Sequence, residues 1–113
     1  MLRVSVLDKL PGVVVAYLAA DKAKDSDALS RCFVDDGMVQ DEEREYRGRA
    51  AIRAWNAGTK AKYRYELELL DASVNGDNVL LFVRLSGEFP GSPIELDYAF
   101  TIADDKIESL AIG

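Results

Sequence analysis

Histidine is absent from the 113-residue chain, and cysteine occurs once, as Cys32. The missing histidine removes Ser-His-Asp and Cys-His nucleophilic catalysis, and with it the commonest transition-metal ligand. A single cysteine excludes an internal disulfide and cannot build a thiolate metal site. Neither a metal nor a cofactor is expected, and acid–base chemistry falls to carboxylates, tyrosines and lysines. No apolar run approaches the ~18 residues that span a bilayer. Asp8 and Lys9 break the N-terminal apolar segment, so a signal-peptide core is not expected and the chain reads as cytoplasmic. Positive charge is also scarce: 14 basic residues against 20 acidic ones leave a net charge of −6. Nucleic acid and anionic membrane surfaces, which attract basic faces, are therefore not expected partners.

What is present is enough for one folded domain over residues 1–113, with 49% hydrophobic residues. Leu10, Val13, Val14, Tyr17, Leu18 and Asp21 fall at helical spacing, all but the last apolar, which predicts a helix from about Lys9 to Lys24, with Asp8 as its cap and Pro11 in its first turn. "KDSDALSRCFVDDG" predicts a second, short helix capped by Asp25 or Ser26, with Leu29, Cys32 and Phe33 inward and Cys32 packing as a small hydrophobe. Met38 to Glu42 reads as a short strand and "EREYRG" as a polar connection. Gly48 ends that connection, and a third helix follows from near Arg49 with Ile52 and Trp55 inward.

From Tyr63 the period changes to two. Tyr63, Tyr65, Leu67 and Leu69 alternate with charged residues, and "NGDN" (Asn75 to Asn78) predicts a hairpin. Val79 to Ser86 is apolar on both faces, as an interior strand requires. Ile94 to Ile102 alternates cleanly, and Ile107 to Ile112 completes the series. Helices grouped before an antiparallel meander predict an α+β fold of order α-α-β-α-β-β-β-β. A strongly curved sheet around three helices leaves a conical cavity, where small ligands sit. Leu81, Val83, Leu85 and Ala99 are read as an apolar outer sheet face, which predicts a homodimer.

The stretch "AYLAADKAKDSDALSRCFVDDGMVQDE…YRGRAAIRAW" resembles the nuclear-transport-factor-like superfamily. That group includes the SnoaL-like polyketide cyclases and the ketosteroid isomerases. The resemblance rests on Asp27–Leu29, the Phe33–Asp36 pair of acids, Asp41 at the end of a strand, and Gly48–Trp55, and it extends over nearly the whole chain. It implies a cystatin-like α+β cone and a small apolar or carbonyl-containing ligand. Ketosteroid isomerases use an aspartate base, with a tyrosine and a protonated aspartate holding the oxyanion. Carried over residue by residue, the resemblance implies Asp41 as base and Tyr17 as oxyanion donor. The second acid's position is Tyr98, which can also donate; neighbouring Asp97 points to the opposite face. Gln40 stands where many relatives carry a histidine before the strand acid.

Each candidate has a structural alternative. Asp41 is either a cavity carboxylate of raised pKa or a solvated one paired with Arg44 or Arg47. Tyr17 and Tyr98 line the cavity or pack in the core, and Trp55 builds the cavity wall or packs between helix and sheet. Phe82, Arg84, Tyr65 and Phe100 are binding candidates if their strand faces are concave. A convex face puts Arg84 on the outer sheet. Two functions follow: a cofactor-independent isomerase, cyclase or dehydratase acting beside a carbonyl, or a binding or interaction module without turnover.

Overall fold

The computed structural model describes residues 9–113. The Leu2–Val6 alternation and the capping role expected of Asp8 lie outside them.

Helix α1 (Gly12–Ala23) starts later than its periodicity predicts, with Pro11 at the N-cap and no side-chain cap. Proline's fixed φ and missing N–H suit that place. Helix α2 (Ser26–Arg31) is capped by Asp25, whose carboxylate accepts from the Ala28 N–H at 3.0 Å. Strand β1 (Phe33–Asp41) then runs five residues further back than predicted, taking in the "FVDD" segment.

The expected polar connection is itself a strand. Strand β2 (Arg44–Arg47) pairs antiparallel with β1, Met38 opposite Arg47 and Asp41 opposite Arg44. It is an edge strand carrying charge, which blunts its unpaired edge. Gly48 next adopts φ +91° as the N-cap of α3 (Arg49–Tyr63), and its N–H donates to the Gly37 carbonyl at 2.8 Å. A residue with a side chain would be strained in that conformation. Helix α3 continues to Tyr63, so β3 (Glu66–Asn75) begins three residues later than its alternation suggests. Strands β4 (Asn78–Ser86), β5 (Ile94–Ala103) and β6 (Lys106–Ile112) complete the chain.

The six strands form one sheet of order β2-β1-β6-β5-β4-β3. Every pairing is antiparallel except β1 with β6, which is parallel. Strand β4 is interior, as its two apolar faces require. Register shifts between Phe33 and Met38 in β1, between Leu69 and Asp71 in β3, and opposite Thr101 and Ile102, where β6 carries the extra Glu108, mark irregularities in the sheet. Bulges of this kind bend a strand and increase its twist, and they curl the sheet around the helices.

The core lies in that concavity. Val14, Tyr17, Leu29, Phe33, Ile52, Leu81, Val83, Phe100, Ile107 and Leu110 are fully buried. Leu81, Val83 and Leu85 thus face inward, opposite to the reading given above. Leu80, Phe82 and Arg84 take the convex side. Among the described residues, no helix is long and apolar enough to cross a membrane.

A buried polar cluster fastens the helices to the sheet. Asp21 accepts from Asn56 Nδ2 at 3.1 Å and from the Tyr65 hydroxyl at 2.8 Å, and pairs with Lys60 Nζ at 3.2 Å. Lys60 also donates to the Tyr65 carbonyl at 2.9 Å. Ser26 extends the cluster to α2 by donating to Asn56 Oδ1 at 2.8 Å. Burying this ion pair is tolerable because each charge has several partners.

Gly87 brings the β4–β5 connection against the end of α3. The Glu88 N–H donates to the Tyr63 carbonyl at 2.6 Å. A Cβ on Gly87 would lie 2.6 Å from that same oxygen and 2.8 Å from Tyr65 Cα. Gly87→Ala should therefore destabilise by about 1–3 kcal/mol, the range for overpacking, read as a lower midpoint in urea denaturation.

Candidate functional site

A cavity of about 620 Å³ lies between α3 and the sheet, with no lining residue from α1 or α2. Helix α3 supplies Trp55, Thr59 and Tyr63; the sheet supplies Tyr65, Leu85, Ile94, Leu96, Tyr98 and Ile112. The β4–β5 connection closes over it with Phe89 and Pro90, whose ring partner is Tyr63, edge-on to Phe89 at 5.8 Å. The turn after β1 contributes Asp41, Glu42 and Glu43. The size suits a small organic ligand, and the walls are mostly apolar and aromatic.

Asp41 is the last residue of β1 and half-buried. Its Oδ2 accepts from the Trp55 indole N–H at 3.1 Å. Among the described residues it forms no ion pair with Arg44 or Arg47. Burial pushes its carboxyl up from the ordinary range, the Trp55 bond opposes this, and the Glu42 charge adds to it. The result is a carboxylate more basic than a solvated one, facing an apolar space.

Tyr98 is 2% exposed and lines the cavity. Burial raises its pKa far above the usual tyrosine value, and the charges of Asp21 and Asp41 push it further. It stays protonated and can only donate its proton to a hydrogen bond, not release it. Its hydroxyl has no hydrogen-bond partner among the described residues. Tyr65 also lines the cavity, but its hydroxyl is committed to Asp21.

The remaining candidates are placed elsewhere. Tyr17 is fully buried behind the cavity, edge-on to Phe33 and Phe100 at 6.1 and 5.3 Å, and its hydroxyl finds no partner among the described residues. Phe100 is a core ring beneath Tyr98, 6.4 Å away. Gln40 is exposed, turned away from the cavity by strand alternation. Phe82 and Arg84 lie on the convex face, where Arg84 bonds Glu68 at 3.1 Å and Glu95 at 3.0 Å. The carboxylate partners that a buried Arg84 would need are thus met outside, on the sheet surface.

Sequence reasoning missed the Asp21–Lys60–Asn56 cluster and the walls Tyr63, Leu85, Phe89 and Leu96. One signal was available. Asn56 and Lys60 fall at i+4 and i+8 from Ile52, so polar groups occupy the inward stripe of α3. Asp21 lies four residues beyond Tyr17 on the inward stripe of α1.

A second hollow of about 470 Å³ adjoins the first across Trp55 and Thr59, and is lined by Arg44, Tyr46 and Lys62.

The model of the SnoaL-like domain matches residues 14–110. A candidate polyketide cyclase from Sinorhizobium meliloti is 42% identical, with 92% of this chain and 95% of that one covered at a TM-score of 0.89. A Catenulispora acidiphila protein with a ketosteroid isomerase-like fold, solved in complex with trimethylamine, is 24% identical, covering 93% and 86% at a TM-score of 0.81. A cystatin-fold protein from Novosphingobium aromaticivorans, 20% identical, covers 90% and 95% at 0.77. No functionally curated protein matches the chain.

Proposed function

This chain belongs to the SnoaL-like family, and from that premise we propose that it binds a small, largely apolar carbonyl compound and moves a proton beside the carbonyl. Asp41 takes the proton from carbon. The electron pair of that bond passes to the carbonyl oxygen, and Tyr98 donates to the enolate so formed. Return of the proton to a different carbon gives isomerisation; attack of the enolate on a second carbonyl gives cyclisation. The observation that carries this reading is that one largely apolar cavity is lined both by a half-buried carboxylate, Asp41, and by Tyr98, whose hydroxyl has no protein partner among the described residues. Tyr17 has no place in it, since it lies behind the cavity wall.

Incubation in heavy water with an enolisable cyclic ketone tests the reading. Wild-type protein should accelerate deuterium incorporation at the carbon beside the carbonyl, and Asp41→Asn should not. Equal exchange by both proteins would refute Asp41 as base.

A second reading, ligand binding without turnover, is favoured by one observation: of the two buried tyrosines that line the cavity, Tyr65 has its hydroxyl committed to Asp21, which leaves Tyr98 alone to hold an oxyanion. Under it, ligands bind and no exchange is seen with either protein.

We also propose a homodimer through the convex sheet face. Leu80 and Phe82 are 43% and 38% exposed there, beside the Arg84 ion-pair cluster, and apolar surface of this kind favours a partner. Light scattering should give twice the chain mass at micromolar concentration, and Phe82→Glu should return the monomer.

A further inference from the structure

The cavity carries charge of one sign. Asp41, Glu42 and Glu43 stand together on one rim, and no lysine or arginine lines the space among the described residues. Lys60 is paired with Asp21 at 3.2 Å. Arg44 and Lys62 line the adjoining hollow, where the Lys62 ammonium stands 5.0 Å from the centroid of the Tyr63 ring. Asp41 itself is answered by neutral donors, the Trp55 indole and the Glu42 backbone N–H. A carboxylate against apolar walls is weakly screened and attracts a counter-charge that the protein does not supply.

The walls add a second attraction. Trp55 and Phe89 present aromatic surface in the same cavity, and ring faces attract cations, most strongly where water is excluded. The fold already uses this chemistry next door, where the Lys60 ammonium sits 3.8 Å above the centroid of Tyr65. A third observation points to a ligand independently of charge: Tyr98 is 2% exposed and lines the cavity, and its hydroxyl has no protein partner among the described residues.

We propose that the ligand of this cavity is an amine cation, a tertiary or quaternary ammonium attached to an apolar body. Its head sits at the Asp41–Glu43 rim against Trp55, and an acceptor group on its body reaches Tyr98. A primary ammonium carries three N–H donors to be satisfied, and the mostly apolar wall offers few acceptors. A tertiary ammonium has one N–H, which a rim carboxylate can accept, and a quaternary one has none. The assignment rests on the cavity being the ligand site, as proposed above, and gives that ligand its charge.

The test uses the full chain and Trp55, its one tryptophan, as a fluorescent reporter. The titrants are benzyltrimethylammonium, its neutral carbon isostere neopentylbenzene, and the anion phenylacetate. The cation should bind at least about 10-fold more tightly than either. That preference should fall several-fold in Asp41→Asn and, separately, in the double variant Glu42→Gln/Glu43→Gln. Neopentylbenzene or phenylacetate binding as tightly as the cation overturns the ammonium assignment and leaves an apolar ligand site standing. A cation preference that survives both variants also overturns it. Trp55 emission unmoved by all three compounds overturns the assignment and the cavity reading together.

Discussion

Asp41→Asn should slow proton exchange at carbon by about 10²–10⁴-fold, the usual contribution of a positioned general base, and should make the protein more stable at neutral pH. The two effects share one cause. Burial holds the Asp41 carboxyl above its ordinary pKa, so the folded chain binds that proton more tightly than the unfolded chain. Stability then falls as pH rises from the unfolded value through the folded one, and the cost is fully present above both. Asparagine carries no charge to desolvate, and its Oδ1 can still accept from Trp55. The variant's thermal midpoint should exceed the wild type's at pH 7, with the gap closing as pH falls through the carboxylate range. Calorimetry across that range measures it. A gap that widens toward low pH would mean that the Trp55 bond, not burial, dominates at Asp41.

Asp21→Ala should do the opposite and on a larger scale. Asp21 and Lys60 are 2% and 5% exposed. Removing the carboxylate strands the Lys60 ammonium, the Asn56 amide and the Tyr65 hydroxyl in the core. Losing one partner of a buried ion pair costs about 3–5 kcal/mol, against a total stability of roughly 5–15 kcal/mol for a domain. The urea midpoint should fall steeply, and near-unfolding at 37 °C is within range. The pair Asp21→Leu/Lys60→Met should recover much of the loss, because no uncompensated charge remains. A double variant worse than Asp21→Ala would show that the hydrogen bonds to Asn56 and Tyr65, not the charge pair, hold the helices to the sheet. Tyr65 also lines the cavity, so a partly folded Asp21 variant should lose ligand response before it loses helical signal.

The meander was legible because its physics is local. Ile94 to Ile102 alternates strictly, and Asn75 to Asn78 marks a tight turn between β3 and β4. Asp41 was legible as a strand-end acid for the same reason, with the family likeness of Gly48–Trp55 behind it. Strand β2 was not. Its residues Arg44–Arg47 form an exposed edge with no buried face to impose a period. The face of β4 was not legible either. Leu80 and Phe82 are as apolar as Leu81 and Val83, so alternation alone cannot say which set meets the helices. That ambiguity put Leu81, Val83 and Leu85 on the wrong side and left Arg84 undecided. Tyr65 and Tyr63 looked like one strand, yet Tyr63 ends α3 and Arg64 turns the chain in a left-handed cap. The Asp21–Lys60 pair spans 39 residues, a separation at which helical periodicity marks each residue as inward without joining them.

The parallel pairing of β1 with β6 sets the order of events in folding. Met38, Val39 and Gln40 pair locally with β2, but they join the rest of the sheet only through Ser109, Leu110 and Ala111. The strands β3 to β6 pair with their neighbours in sequence, whereas the β1–β2 hairpin has no further strand to join until β6 exists. Contacts this distant in sequence slow folding, since loop closure precedes any gain. On a ribosome, the strand ending in Asp41 would wait with β2 as its one strand partner until β6 had emerged. The half of the molecule that carries the proposed base is thus the half that depends on the chain's other end for its place.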